Sequence, residues 1–303
     1  MQHIEQTTFH ALERGRHLVV LGGIHGNEKC GGAAIRQVIA KFHANDWQLQ
    51  CGKVTFIPVC NPQANHNNKR FHQRNLNRNF YPKPVHIDYE DKIDPILCHI
   101  LNDADALLDI HSYQSDGGAF CFLGTSSPAE IAYCRALNAP LYVYGWAEAF
   151  SQNASKEQRL ASIGTTDYVR ANPKQGLAVT LECGNHHNPQ NVEIAIEAIK
   201  NVLIHLGLMQ DLREKSEQYA PKSAPAQIAI KMKYIYYKQK NGEMAKNWQH
   251  GQQVKLGELI AIYDDGEQII APTDGFIILP KTNLDADIGS EWFYFGVETA
   301  FPT

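Results

Sequence analysis

Residues 18–34 read L-V-V-L-G-G-I-H-G-N-E-K-C-G-G-A-A, and the fold turns on how this stretch breaks. Leu18 to Leu21 is an apolar run with a β-branched pair, the pattern of a buried strand in a parallel sheet. It stops at Gly22-Gly23, and helical spacing follows at Ala33, Ala34, Ile35, Val38, Ile39 and Phe42. Between strand end and helix start sit His25 and Glu28. In an open α/β sheet, ligands bind in the crevice beyond the carboxyl ends of the strands. A neutral imidazole and a carboxylate projecting from that turn suit Zn²⁺, and the small residues around them let the backbone stay close to an ion. Alone, H-x-x-E also describes a surface histidine beside a helix-start glutamate, so a second signal has to decide.

That signal lies further along the chain. Ala106 to Ile110 is another buried run, and it leads straight into His111 (A-L-L-D-I-H-S). A lone histidine at a strand end is commonly a core or capping residue. Here it occupies the same kind of position as His25, so the two can meet at one crevice. Asp109 could orient a ligating imidazole from behind. A third run, Gly176 to Cys183 (G-L-A-V-T-L-E-C), carries Glu182 inside apolar sequence, which is unfavourable unless the carboxylate is paired or used. The competing view is an edge-facing residue at a strand end.

Other strands are expected at Val54 to Cys60 and Ala119 to Leu123, and residues 1–16 as an edge strand or arm. Helices are expected over 88–102, 128–138, 166–171 and 190–206, the last with an apolar face from Val192 to Leu206 and a stop at Gly207. Residues 140–165 give no clear pattern. The alternation over 17–207 predicts an α/β domain with a mostly parallel sheet. Residues 61–84 form a long amide-rich stretch after a strand end, and such loops are usually functional. Arg70, Arg74 and Arg78 all lie on it. Any one of them fits a solvated surface, whereas three together suggest an anion-binding wall.

Beyond this, residues 211–226 become charged and then Ala/Pro/Ser-rich, which reads as a linker, with its centre at about 213–221. The periodicity then changes to two at Ile228, Ile230, Met232, Tyr234 and Tyr236, with turn signals from Asn241-Gly242 to Gly289. The division expected is 1–212 for the α/β domain and 222–303 for a small all-β domain. The tail resembles the barrel-sandwich of biotinyl and lipoyl carrier domains. Its expected hairpin tip, Asp264-Asp265-Gly266, has no lysine to modify, so a shielding role fits better than a swinging arm.

Composition narrows the class. The chain has 303 residues, 44% of them hydrophobic and 20% charged, which is ordinary for a globular protein with ample core. A net charge of −4 supplies no general field for nucleic acid or anionic lipid, so neither is expected as a partner. Seven widely spaced cysteines without a C-x-x-C pair argue for a reducing compartment. The first residues lack a signal-peptide pattern, and no apolar run nears the roughly 18 residues of a spanning helix. A cytoplasmic location is the expectation, with a homo-oligomer left open.

Taken together, G-G-I-H-G-N-E at 22–28, N-P-Q-A at 61–64, the arginine-containing stretch ending in N-L-N-R at 75–78, D-I-H at 109–111 and T-L-E-C-G at 180–184 resemble the succinylglutamate desuccinylase/aspartoacylase family. That family is a branch of the zinc carboxypeptidase superfamily. The resemblance implies a zinc-carboxypeptidase-like mixed sheet flanked by helices and a barrel-like C-terminal domain. It implies one Zn²⁺ per chain held by His25, Glu28 and His111, with Glu182 as general base and Arg70 stabilising the oxyanion. Asn77 and Arg78 would clamp the substrate carboxylate, while Arg74, Tyr168 and Arg170 are candidate substrate contacts. Three protein ligands leave a fourth zinc position for water, whose pKa then falls towards about 7. The activity implied is hydrolysis of an amide in a small anionic N-acyl amino acid. Two alternatives stay open: a carboxypeptidase on short peptides, and a non-catalytic metal- or ligand-binding relative.

Overall fold

A computed structural model describes residues 3–125, 127–151, 162–211, 227–281 and 286–301. The linker expected at 213–221 lies outside the described residues.

The founding stretch folds as its pattern requires. β2 (His17–Gly22) is buried at every position, because helices cover both faces of the sheet. Its side chains alternate between two cores. Leu18 and Val20 point to one shared with α1 (Lys29–His43) and α7 (Asn191–His205), while Val19 and Leu21 point to another shared with α3 (Tyr89–Leu101) and α6 (Thr165–Ala171). β4 (Ala106–Tyr113) and β7 (Leu177–Asn185) follow the same rule, with Leu108 and Val179 on the first side and Leu107 and Ala178 on the second.

β3 (Lys53–Ile57), β2, β4 and β7 run parallel in that order. β1 (Thr7–His10) is the antiparallel edge strand. Beyond β7 come β5 (Phe120–Leu123), antiparallel to it, and β6 (Leu141–Tyr144), parallel to β5. The sheet is therefore mixed. β3 ends at Ile57, short of the expected Cys60, where Pro58 removes a ladder donor. Asn61-Pro62 starts the short helix α2 (Pro62–His66), with the Asn61 side chain accepting from Ala64 N–H at 3.2 Å. α4 (Pro128–Ala136) starts where expected, capped by Ser127. The stretch without a clear pattern holds β6 and α5 (Trp146–Ser151).

The sheet continues into the C-terminal segment. β8 (Ile228–Tyr237) pairs in parallel with β6, Leu141 opposite Ile228, and β14 (Glu291–Thr299), β13 (Gly275–Ile278) and β10 (Gln252–Val254) follow to make eleven strands among the described residues. A separate three-stranded sheet holds β9 (Gly242–Met244), β11 (Leu259–Tyr263) and β12 (Gln268–Ile270). The expected tip at Asp264-Asp265-Gly266 does turn between β11 and β12, with Gly266 at φ +86°. Trp248, Trp292, Phe293 and Phe295 centre the core of this part. No described helix is long and apolar enough to cross a membrane.

Candidate active site

Register brings the distant residues together. Gly22 lies opposite Ile110 and His111 opposite Glu182, so the ends of β2, β4 and β7 open on one crevice. The loop after β2 is drawn in tightly. Gly26 lies so close to α2 that a Cβ there would sit 2.0 Å from the Ala64 carbonyl carbon, and its N–H donates to Arg70 O at 3.2 Å.

His25, Glu28 and His111 converge and are buried. His25 Nδ1 is 2.8 Å from Glu28 Oε1, His111 Nδ1 is 2.8 Å from Glu28 Oε2, and the two Nδ1 atoms are 3.2 Å apart. The outer face of each ring meets an oxygen. His25 Nε2 is 3.0 Å from Asn75 Oδ1. His111 Nε2 is 3.1 Å from Asp109 Oδ2 but not aligned with it as a hydrogen bond. Oxygen acceptors behind Nε2 favour the Nε2–H tautomer and turn the Nδ1 lone pairs towards each other. Two nitrogen lone pairs and a carboxylate facing one small buried point form a donor set that fits a Zn²⁺-sized cation.

The charges respond to this crowding. Burial pulls His25 down to about 4, aided by Arg70 and opposed by Glu28. Burial also disfavours protonated His111, yet Asp109 and Glu28 outweigh it and hold that pKa well above the usual value. Glu28 would be raised by burial but is held well below the carboxylate range by the two histidines. Glu182 goes the other way. Burial pushes it up to about 8, Glu28 adds to this, His111 and Arg70 oppose it, and its Oε2 has no hydrogen-bond partner. A dication bound beside it would draw that pKa down again.

A cavity of about 440 Å³ opens onto the cluster, lined among others by His25, His111, Glu182, Arg70, Asn77 and Arg78. Arg70 donates to Glu28 Oε1 at 3.0 Å and is half exposed to the cavity. Asn77 Oδ1 accepts from Thr165 N–H at 3.0 Å, which holds the side chain at the α6 start. Arg78 lies 5.4 Å above the Trp146 ring with one nitrogen 3.9 Å from Glu291 Oε1.

The other sequence candidates are placed differently. Arg74 does not line the cavity. It turns under the loop to pair with Asp91 at 2.7 Å and with Asp94, so the expected wall of three arginines is a wall of two. Tyr168 is also outside the cavity, donating to Asn102 at 2.7 Å and packing edge-on to Phe80. Arg170 does line it, but each of its three nitrogens is engaged: Nε by Glu130 at 3.0 Å, one terminal nitrogen by Asp167 at 3.2 Å, the other by Ala178 O at 2.5 Å. Asp109 sits behind His111 as expected and also accepts from Thr165 Oγ1.

Sequence reasoning missed Asn75, although it belongs to the N-L-N-R stretch already singled out. It also missed Trp146, Glu291 and Tyr294 on the far cavity wall. Nothing in linear sequence links residue 291 to His25; the β6–β8 and β8–β14 pairings bring it round. His186, assigned no role from sequence, lies 2.8 Å from Ser112 Oγ beside the cluster.

The family model for the succinylglutamate desuccinylase/aspartoacylase catalytic domain matches residues 14–206. A probable aspartoacylase from Acaryochloris marina is 30% identical over 151 residues, 46% of this chain and half the length of that relative. Among solved structures, the product-bound ectoine utilization protein EutE (DoeB) from Ruegeria pomeroyi superposes with a TM-score of 0.73 at 22% identity, covering 96% of this chain and 88% of that one. A succinylglutamate desuccinylase from Silicibacter sp. TM1040 gives 0.73 at 22%, covering 98% and 89%. At such identities the structural likeness shows the fold.

Proposed function

Because the chain belongs to the succinylglutamate desuccinylase/aspartoacylase family, whose members are hydrolytic deacylases, we propose that it hydrolyses the amide bond of an N-acyl amino acid with one zinc ion as cofactor. One observation carries this reading: a cavity opens onto the buried His25–Glu28–His111 cluster and is lined by Glu182, a carboxylate with a raised pKa, and by Arg70 and Arg78.

Bound zinc supplies a Lewis acid that polarises the scissile carbonyl and lowers the pKa of water. The rest is done by side chains of this chain. Asn77 and Arg78 hold the amino-acid carboxylate, and the planar guanidinium suits that group better than a lysine would. Glu182 takes a proton from the attacking water and delivers it to the departing amine nitrogen. Its poorly solvated carboxylate holds that proton between the two events. Arg70 stabilises the oxyanion that develops on the carbonyl oxygen. Asp109 and Asn75 keep the two imidazoles turned inward. Arg74 and Tyr168 are left out of the substrate set because their polar atoms are engaged elsewhere.

We read the C-terminal strands, residues 222–303, as a barrel-sandwich-like unit that closes the far side of the cavity. Arg78 reaches both Trp146 of the α/β part and Glu291 of β14 on that wall.

The test is Glu182→Gln in zinc-loaded protein. Zinc content should stay near one per chain while turnover of a responsive N-acyl amino acid falls by about 10²–10⁴. Turnover equal to wild type would remove Glu182 from the mechanism.

A further inference from the structure

Beyond Arg70 and the Asn77–Arg78 clamp, the cationic side chains among the described lining residues, Arg170 and Lys231, each have a carboxylate partner. Each of the three nitrogens of Arg170 is hydrogen-bonded within the wall, and the guanidinium lies flat against Gly124, where a Cβ would come within 2.0 Å of its central carbon. Lys231 pairs with Glu148 at 2.8 Å. Among the described lining residues, that leaves Arg70 and Arg78, the two already assigned to the oxyanion and to a single carboxylate. Beside polar residues such as Thr125, Ser162, Thr166 and Thr180, the remaining wall carries an apolar and aromatic patch. Trp146 meets Phe122 edge-on at 5.9 Å and Tyr294 at 5.0 Å, and Leu123 and Leu279 line the same space. The Tyr294 hydroxyl donates to Glu291 at 2.6 Å rather than presenting its proton to the cavity.

We propose that the substrate is an N-acyl amino acid with one carboxylate and an uncharged, apolar side chain, aromatic ones preferred, which lies on the Trp146–Phe122 shelf. This rests on the deacylase reading and narrows it. A second carboxylate on the substrate would have to leave water for a wall whose cations already have carboxylate partners, with Asp167 and Glu148 nearby to repel it. An aromatic ring would instead complete an existing edge-to-face cluster. The cavity, at about 440 Å³, falls within the usual range for small-ligand sites and has room for such a ring.

The experiment compares kcat/KM of the zinc-loaded protein on N-acetylphenylalanine, N-acetylleucine, N-acetylalanine, N-acetylaspartate, N-acetyllysine and N-succinylglutamate. The phenylalanine and leucine derivatives should exceed the aspartate and succinylglutamate ones by about tenfold or more. Phe122→Ala should lower kcat/KM on N-acetylphenylalanine by about tenfold while leaving N-acetylalanine within about twofold. Best turnover of acetylaspartate or succinylglutamate would overturn the inference and leave the deacylase reading standing. Best turnover of acetyllysine would overturn it in favour of an amine held by Asp167 and Glu148. An equal loss on both Phe122→Ala substrates would overturn the shelf. Silence on every member would overturn the deacylase reading, and the side-chain class with it.

Discussion

Asn75 touches nothing reactive, yet it sets which nitrogen of His25 faces Glu28 and His111. Its Oδ1 lies 3.0 Å from His25 Nε2 and also accepts the Asn77 N–H at 2.9 Å, coupling His25 to Asn77. Asn75→Ala removes the acceptor and frees the ring to change tautomer or rotate. Loss of such an outer partner typically weakens metal affinity by 10–100-fold. A zinc competition titration of Asn75→Ala should therefore show a drop of about that size, with the fold unchanged by circular dichroism. An unaltered affinity would mean that Glu28 alone orients His25. Asp109 lies behind His111, 3.1 Å from its Nε2, and its place was legible in D-I-H because strand geometry puts residues 109 and 111 on one face. Asn75 was not singled out, because nothing in the order N-L-N-R says which asparagine turns back to the histidine.

At the scale of elements, the long loop between α2 and α3 is held by a buried acid. Glu90, on the first turn of α3, accepts the backbone N–H groups of His72 at 2.7 Å and of Arg74 at 3.1 Å, with Gln73 N–H shared between its oxygens. Asn61 Nδ2 donates to it at 3.0 Å. A loop that reads as polar surface is thereby ordered from beneath, and Arg70 and Arg78 are aimed at one cavity. Glu90→Gln keeps the volume but turns an NH₂ group towards backbone donors. It should destabilise the protein by about 1–3 kcal/mol. In limited proteolysis, residues 70–84 should be cut earlier than in wild type, and KM should rise because the clamp loosens. A variant with wild-type stability and KM would show that Arg74 and its acidic partners suffice. The sequence indicates a functional loop with three arginines, and the separation of Arg74 from the other two follows from where the acids of α3 lie.

For the whole molecule, the joint between the α/β part and the C-terminal strands contains His250. Its ring stacks on Phe120 at 4.1 Å and meets Tyr113 at 5.1 Å, and its Nδ1 accepts the Leu279 N–H at 3.1 Å. Burial lowers its pKa to about 3. The folded protein therefore keeps this histidine neutral, while the unfolded chain binds a proton below about pH 6.5. The unfolded state gains protons as pH falls through that window, so the stability contribution is complete above pH 6.5 and declines towards pH 3. At pH 5 the loss from this residue should reach about 2 kcal/mol, at 1.36 kcal/mol per pH unit. Denaturant melts of wild type and His250→Gln at pH 7.5 and 5 would measure it. The variant should show a loss smaller by about that amount, and identical slopes would exclude His250 as the source. The joint was foreshadowed only as a linker and a change of period, because strand pairing across so many residues leaves no local pattern.

What the sequence determined by itself is local and chemical. Apolar runs ending in glycine or histidine specify strands whose carboxyl ends meet, and the residue types at those ends, two histidines and two glutamates, carry the metal and acid–base reading. Those features depend on near neighbours in the chain and on side-chain chemistry, both of which a sequence displays. Tertiary structure decided which polar residues are available to a ligand. Arg74, Arg170 and Lys231 look as available as Arg70 and Arg78 in the sequence, and they are neutralised by Asp91, Asp94, Glu130, Asp167 and Glu148 from other parts of the fold. A charge is defined as much by what it pairs with as by its own identity, and that pairing exists only once the chain has folded.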